Sequence, residues 1–199
     1  MDRTVLKLNE MFWSFQGEGY HAGRRALFVR VPKCNLKCHF CDTEYDQVIE
    51  VPLTDFTAFA TEEIGRFAVL TGGEPTINAQ TPQIINMLQS LGFYVAMETN
   101  GTKPPPSVIP DWITCSPKEQ SCYEIDEKLY PLVNEFKYVV DNNFNFEILD
   151  RHRDDDTAFL YLSPESSAMY ENLKKIYIYI RKNPKWRISL QTHKWMGIK

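Results

Sequence analysis

The sequence lacks any apolar run long enough to cross a membrane, and no positively charged leader with an apolar core opens the chain. It also lacks a basic excess, because 22 Lys and Arg stand against 26 Asp and Glu, giving a formal net charge of -4. These absences argue against a membrane protein and against general electrostatic binding to nucleic acid. We therefore expect a cytoplasmic protein.

Cysteine is scarce, with five in 199 residues, and three of the five share one short segment with the spacing C-x-x-x-C-x-x-C. A single loop carrying Cys34, Cys38 and Cys41 can wrap a metal centre. A disulfide would leave one thiol over, and a mononuclear zinc site would need a fourth ligand, for which His39 is the nearby candidate. An iron–sulfur cluster held by three cysteines would keep one iron open to another ligand. The two single cysteines are expected to be packing or surface thiols: Cys115 and Cys122.

Length and pattern predict one α/β domain over 1–199. Short apolar strands alternate with helices, which is typical of a parallel sheet, and glycine or polar motifs recur at the strand ends, as at a barrel mouth. The chain is shorter than the ~250 residues of a full eight-stranded barrel. The predicted strands are 26–31, 67–70, 93–97, 112–114, 135–140, 158–162 and 186–190. The predicted helices are 54–64, with Thr54 as N-cap, 81–91 and 167–182.

Two features outside the cysteine segment indicate a polar site. Arg30 interrupts the first predicted strand, and a charge in an apolar strand needs either an ion pair or a polar cavity. The segment Gln16–Gly19 places a carboxylate between two glycines, which suggests a tight loop with its backbone open to a ligand.

Taken together, the motifs resemble those of the radical S-adenosylmethionine (SAM) superfamily. The cysteine spacing is that of its cluster loop, and TGGEP at 71–75 resembles the motif that binds the SAM amino group. Other motifs narrow the resemblance to the 7-carboxy-7-deazaguanine synthase family, over nearly the whole chain. These are QGEG at 16–19, FVR at 28–30, CDT at 41–43, ETNG at 98–101, SPK at 116–118 and QTHK at 191–194.

This resemblance implies a fold, a reaction and partners. The fold would be an incomplete TIM-like barrel of about six parallel strands with reduced helices, and the protein would be a homodimer. The enzyme would be a carbon–nitrogen lyase that converts 6-carboxy-5,6,7,8-tetrahydropterin to 7-carboxy-7-deazaguanine with loss of ammonia. Its cofactors would be a [4Fe–4S] cluster, SAM and Mg²⁺, and its reductant a flavodoxin or ferredoxin.

The same resemblance implies roles for single residues. The three clustered cysteines would hold the cluster, and the Thr43 hydroxyl would ligate Mg²⁺, although capping a turn is the ordinary role of such a residue. SAM would lie against Phe40, Cys41, Asp42, Gly73, Glu74, Ser116, Pro117, Lys118, Ser163, Pro164, Glu165 and Ser166. The substrate would lie against Phe15, Gln16, Gly17, Glu18, Arg30, Thr71, His193 and Lys199. Within that set, Glu18 would accept N–H bonds from the pterin edge, and Arg30 would pair with the substrate carboxylate.

The chain departs from the family pattern at three positions. Lys33 stands where glycine is frequent, Ser163 stands where glutamine is usual, and Lys199 stands where many members end in proline. Two other hypotheses stay open at this point. A glycyl-radical activating enzyme shares the cysteine spacing, but a protein substrate gives no reason for a pterin-sized polar pocket. A non-enzymatic zinc-binding interaction module would use the three cysteines and His39.

Overall fold

The computed structural model describes residues 5–41, 43–44, 47–152 and 157–199. Its strands are β1 Val5–Leu8, β2 Glu10–Phe15, β3 Arg25–Val31, β4 Ile49–Pro52, β5 Phe67–Gly72, β6 Tyr94–Thr99, β7 Trp112–Cys115, β8 Glu135–Val140, β9 Phe159–Pro164 and β10 Trp186–Ile188. Its helices are α1 Leu53–Thr61, α2 Thr81–Ser90, α3 Met169–Ile180 and α4 Thr192–Met196. Short 3₁₀ turns lie at Pro75–Ile77, Glu119–Ser121, Tyr130–Leu132, Phe146–Arg151 and Ser166–Ala168.

The main sheet is mostly parallel, as predicted. Within the described residues it contains eight strands in the order β10-β9-β8-β7-β6-β5-β3-β2, and β2 is the antiparallel member. All seven predicted strands are present in it, against the six or so that the resemblance implied. A separate antiparallel ribbon pairs β1 with β4. None of the helices in the described part of the chain has the length and apolarity that a bilayer crossing requires.

The apolar runs in β3 and β5 are continuous because both faces of these strands are buried. Leu27 and Val29 face the larger apolar cluster, where α1 and α2 pack. The alternate residues Ala26 and Phe28 face a smaller cluster that also contains Trp112. A shift of β3 by one residue against its neighbouring strands would move each of its side chains to the other face. The alternation therefore fixes the register in which β3 pairs with those strands.

The hairpin loop between β2 and β3 closes over the smaller cluster. The Tyr20 ring lies 4.9 Å from that of Trp112 and 4.6 Å from that of Phe159, measured between ring centroids. The Gly19 N–H donates to the Ser189 hydroxyl at 2.9 Å, just beyond β10. These contacts join a loop at one edge of the sheet to the opposite edge, which requires the sheet to curve.

Some local expectations were wrong. Thr54 does not cap the first helix, because α1 begins at Leu53 after Pro52, with no side-chain capping hydrogen bond. Four more elements, β1, β2, β4 and α4, were not predicted from the sequence. In β2 all six residues are partly exposed, so its burial does not alternate, and α4 has five residues, too few for a helical period to be detected.

Candidate active site

The carboxyl ends of the parallel strands bring most of the predicted cofactor residues to one cavity, which we call the first chamber. The cysteine segment follows β3, the Gly-Gly-Glu turn ends β5, and Ser116 follows β7. The cavity has a volume of about 210 Å³. It is lined by Glu18, Cys34, Leu36, Cys38, Phe40, Cys41, Thr43, Thr71, Gly72, Gly73, Glu74, Glu98, Thr99, Asn100, Thr114, Ser116, Lys118, Lys137, Val139, Ser163, Pro164, Glu165, Ser166, Gln191 and Lys194.

The cysteine loop is held by the loops that follow β6 and β7. The Asn35 side-chain amide donates to the Thr102 hydroxyl at 2.8 Å. The Lys37 N–H donates to the Gln120 side chain at 2.6 Å, and that side chain donates back to the Lys37 carbonyl at 3.0 Å. Hydrogen bonds to these two neighbouring loops therefore fix the cysteine loop, in which Cys34 and Cys38 are half-buried.

Backbone packs against backbone where the cysteine loop meets the turn after β5. The Glu74 N–H donates to the Lys33 carbonyl at 2.8 Å. A side-chain carbon on Gly73 would lie 1.7 Å from that same carbonyl oxygen, so this position requires glycine. Lys33 has φ 68°, in the left-handed region that favours glycine, so a lysine here is held in a strained backbone conformation.

The buried Glu74 carboxylate is satisfied by protein donors. One of its oxygens accepts from the Thr76 and Thr99 hydroxyls, each at 2.6 Å, and the other accepts from the Asn100 N–H at 2.7 Å. The Asn100 amide also donates to Asn35 at 3.0 Å, in the cysteine loop. Glu74 thus ties the ends of β5 and β6 to the cysteine loop.

The three cysteines fit a cluster better than a single zinc ion. Burial raises the pKa of the Cys34 and Cys38 thiols, so a metal must supply the charge that favours their thiolates. Among the described residues, no three His, Cys, Asp or Glu side chains are gathered tightly enough to hold one ion. His39 points its Nε2 at Asp141, 3.4 Å away. Thiolates spread around one chamber suit a cluster in which each binds a different iron.

Lys118 provides a positive charge for a cofactor with a carboxylate. Its Nζ donates to the Ser116 hydroxyl at 2.6 Å and lies 5.7 Å from the centre of the Phe40 ring. Burial, with the nearby Lys137 charge, lowers the pKa of Lys118. Within the described part of the chain no carboxylate lies at ion-pairing distance from it, so an anionic group in the first chamber would stabilise its charge.

A second chamber of about 140 Å³ adjoins the first. The two share Glu18, Thr43, Thr71, Glu98 and Gln191, which form a common wall. The residues that line only the second chamber are Phe12, Phe15, Gln16, Phe28, Arg30, His193 and Lys199. Most of the residues predicted to contact substrate therefore lie in a compartment next to the predicted cofactor residues.

Arg30 lies on the basic side of the second chamber. Its Nη1 donates to the Thr43 hydroxyl at 2.8 Å. Its Nε lies 3.0 Å from a Glu10 carboxylate oxygen, in an ion pair whose geometry is not that of a hydrogen bond. Lys199 contacts the same carboxylate. Arg30 therefore meets both expectations for a charge in an apolar strand, because it has a carboxylate partner and also faces a polar cavity.

Two carboxylates of the shared wall, Glu18 and Glu98, also line the second chamber. Glu18 lies 2.6 Å from Lys137 Nζ, and Glu98 lies 3.8 Å from it. Burial opposes ionisation of Glu18, but Lys137 and a hydrogen bond from Gln191 outweigh it and lower the pKa of Glu18 to about 2. The carboxylates in turn raise the pKa of Lys137 despite its burial. Glu18 is therefore ionised at neutral pH.

Two of the predicted site residues that the structure describes line neither chamber. Asp42 lies outside the described residues. Pro117 is absent from both walls, and so is Gly17, whose carbonyl accepts from the Thr192 N–H at 3.1 Å. A side-chain carbon on Gly17 would lie 1.9 Å from the His193 ring, so this glycine permits α4 to approach.

The sequence analysis missed several wall residues, above all Glu98, Lys137 and Gln191. Lys137 gave the same signal as Arg30, a charge inside an apolar strand, and could have been found in the same way. Glu98 ends β6 within a motif that was noted without a site role. Gln191 likewise opens a motif, QTHK at 191–194, that was noted without a site role for this residue.

Comparison with known proteins defines the class. The sequence profile of the radical SAM superfamily matches residues 28–114, the stretch from β3 into β7 that carries the cysteine loop and the Gly-Gly-Glu turn. With the parallel sheet and its strand-end cavity, this match indicates a radical SAM core in that stretch of the chain.

Full-length relatives define the family. Proteins named 7-carboxy-7-deazaguanine synthase from Bacteroides thetaiotaomicron and Haemophilus influenzae are 37% and 36% identical, covering 98% and 95% of this chain and 100% and 92% of theirs. The crystal structure of QueE from Escherichia coli matches with a TM-score of 0.77 and 29% identity, over 94% of each chain. The chain belongs to the 7-carboxy-7-deazaguanine synthase family. The predicted resemblance is confirmed, and the zinc module and the glycyl-radical activating enzyme are disfavoured.

Proposed function

We propose that the protein is a radical SAM lyase that converts 6-carboxy-5,6,7,8-tetrahydropterin to 7-carboxy-7-deazaguanine with loss of ammonia, in 7-deazapurine biosynthesis. The observation that carries the proposal is the wall shared by the two chambers. A cofactor in the first chamber and a substrate in the second would both contact the five residues of this wall and would therefore lie next to each other. Family membership supports the same reaction.

The charge distribution of the second chamber suits a carboxylated pterin. The Arg30 guanidinium would pair with the substrate carboxylate by charge-assisted hydrogen bonds. On the other side, each Glu18 oxygen already accepts one protein hydrogen bond, and a carboxylate has about four acceptor sites. Glu18 can therefore accept N–H groups of the pterin edge as well. These opposite ends would fix which way the substrate lies.

The cofactors would be held by residues of the first chamber. Cys34, Cys38 and Cys41 would hold a [4Fe–4S] cluster, and Lys118 would balance the SAM carboxylate. When bound, the cluster and SAM supply a radical that removes a hydrogen atom from the substrate. The chain's own residues bind, orient the pterin ring against the shared wall and keep water out.

Thr43 is the proposed magnesium ligand, because its hydroxyl lies on the shared wall. Mg²⁺ takes oxygen ligands and usually keeps several waters, so one protein hydroxyl with substrate oxygens would suffice. The Arg30 hydrogen bond aims that hydroxyl and leaves its other lone pair available.

The remaining features of the proposal concern the whole molecule. The chain would form one radical SAM domain over 1–199, a partial barrel whose curvature follows from the contacts across the sheet edges. It would act as a cytoplasmic homodimer and take its electron from a flavodoxin or ferredoxin.

The test is anaerobic incubation of cluster-loaded protein with SAM, a reductant and the carboxytetrahydropterin, followed by mass spectrometry. We expect 7-carboxy-7-deazaguanine and ammonia in equal amounts, and neither with the Cys38→Ala variant. Cluster-loaded protein that cleaves SAM but leaves the pterin unchanged would overturn the assigned substrate. Protein that binds zinc and no iron would overturn the enzyme class.

A further inference from the structure

Lys137 is a buried cation in the middle of an apolar strand. It is 5% exposed, and it lies in β8 between Phe136 and Tyr138, which face the apolar core. Lysine is almost never fully buried unless it is paired. The role of this charge must therefore be sought in the groups its ammonium faces.

The Lys137 ammonium stands between two carboxylates of the shared wall. Its Nζ lies 2.6 Å from Glu18 Oε2 and 3.8 Å from Glu98 Oε1. Each carboxylate also has a side-chain amide donor. Gln191 Nε2 donates to Glu18 Oε1 and Gln16 Nε2 donates to Glu98 Oε1, both at 2.8 Å. These five side chains come from four separate stretches of the chain and meet around the one ammonium.

We propose that Lys137 is a positioning residue that keeps Glu18 ionised and holds the Glu18 and Glu98 side chains in place to accept the N–H groups of the substrate. This inference rests on the proposed function, because it assigns these carboxylates to the substrate. Lys137 itself need not touch the pterin. It acts through the two carboxylates.

The electrostatic argument follows from burial. Two carboxylates close together in a low-dielectric site cannot both stay ionised unless a cation lies between them. Glu18 also faces His193 from α4, while Lys137 also faces Glu135 on its own strand, and Lys118 approaches from the loop after β7. Burial pushes the pKa of Glu18 upward, and Lys137 is the main opposing influence.

Loss of Lys137 would thus change what the wall offers to a ligand. A protonated Glu18 carries an O–H donor where the pterin edge also presents donors, so a hydrogen bond would be lost. With Lys137 present, Glu18 keeps its negative charge and presents only acceptor oxygens to a ligand. That charge suits a neutral edge rich in N–H groups.

The experiment compares cluster-loaded wild-type protein with the Lys137→Met variant. Methionine keeps roughly the length of the lysine side chain and removes its charge. Lys137→Arg keeps the charge, and Lys7→Met serves as control, because Lys7 lies in an exposed surface pair with Glu50. Two measurements are made on each protein. Carbon-13 NMR follows the Glu18 carboxyl carbon against pH without substrate, and calorimetry follows pterin affinity between about pH 5 and pH 8.

In wild type, Lys7→Met and Lys137→Arg, we expect Glu18 to stay ionised and affinity to vary little across this range. In Lys137→Met, Glu18 should titrate at higher pH, and affinity should fall by up to about tenfold for each pH unit below its new pKa. If Lys137→Met does not fold, Lys137→Gln replaces it, with the same expectation.

Two results would count against the inference in different ways. Glu18 titration and pterin affinity that match wild type in Lys137→Met, while wild type binds the pterin, would overturn the role of Lys137 alone. Wild-type protein that binds no pterin would overturn the proposed function, and the substrate role of Lys137 with it.

Discussion

The two chambers are built in different ways. The first is made of short contiguous motifs, each at the end of one parallel strand, such as the cysteine loop after β3 and Gly73–Glu74 after β5. The second is lined by charged residues whose partners come from another strand or from far away in the chain. Arg30 meets Glu10 from the neighbouring strand, and Glu18 meets Lys137 across more than half the chain.

This difference follows from what each chamber must recognise. A cluster and SAM can be held by backbone turns and thiols, which a local sequence motif specifies almost completely. A carboxylated pterin needs opposite charges held at opposite ends of one pocket, and those charges need partners from other strands. Local sequence motifs therefore indicate which cofactors bind, while charge pairs between distant residues would determine which substrate binds.

The largest expected effect is loss of the iron–sulfur cluster from the first chamber. Cys38→Ala should abolish turnover and cluster binding, because one iron loses its protein ligand. Iron and sulfide analysis of anaerobically purified protein measures this loss. Cys122→Ala is the matched control, since that thiol is exposed and lines neither chamber. Full iron content in Cys38→Ala would show that the loop does not hold the cluster.

Arg30→Ala should break the second chamber and spare the first. Removing one partner of a desolvated charge pair typically costs about 2–5 kcal/mol of binding, so pterin affinity should fall strongly while SAM affinity holds. Calorimetry with each ligand separates the two effects. Arg25→Ala is the control from the same strand, because Arg25 pairs with Glu63 away from both chambers. Equal losses for both ligands would show that the chambers are not independent.

Ionisation of the buried Glu135 carboxyl, near the second chamber, is expected to lower the free energy of unfolding. Burial raises the pKa of this carboxyl from 4.5 to about 7, although Lys137 and the Tyr20 N–H partly oppose the rise. The folded state then holds a proton that the unfolded state releases between these values. Stability should fall as pH rises through that window, by up to about 3 kcal/mol.

The measurement for Glu135 is melting temperature against pH in cluster-loaded protein. Glu135→Gln cannot ionise, so it should melt higher than wild type at pH values above about 7 and lose most of the difference near pH 4.5. Glu50→Gln, at the exposed pair with Lys7, should show no such dependence. A constant difference across the range would mean that ionisation of Glu135 is not involved.

How much of the fold and of the site the sequence predicts depends on the same difference between local motifs and long-range pairs. Apolar strands with strand-end motifs predicted all seven parallel strands, and family motifs pointed to the residues of the first chamber. Lys137 and Gln191 were missed because their meaning depends on Glu18, which is far away in the chain. The edge strand β2 was missed because its residues are only partly buried on both faces.

Thr43 lies where the two chambers meet, so its replacement should affect their common wall. If Thr43 ligates Mg²⁺, Thr43→Ala should lower turnover and blunt the response to added magnesium, with little change in cluster content. If it only orients Arg30, pterin affinity should fall while the magnesium titration curve overlays that of wild type. Thr43→Ser retains the hydroxyl and should behave nearly as wild type does. If it only capped a turn, the loss would be about 1 kcal/mol of stability.

The smallest effect concerns Lys33, in the motif-built chamber. Its φ of 68° costs a side-chain residue about 1–2 kcal/mol, and glycine would relieve that strain. Glycine also adds freedom to the unfolded chain, which offsets about 0.4–1 kcal/mol of the gain. Lys33→Gly should therefore raise stability by about 1 kcal/mol or less and leave both ligand affinities unchanged. Lys37→Gly is the control, because Lys37 has no positive φ and should lose stability through the unfolded chain alone. A melting temperature that falls equally in both variants would show that the Lys33 side chain itself stabilises the cysteine loop.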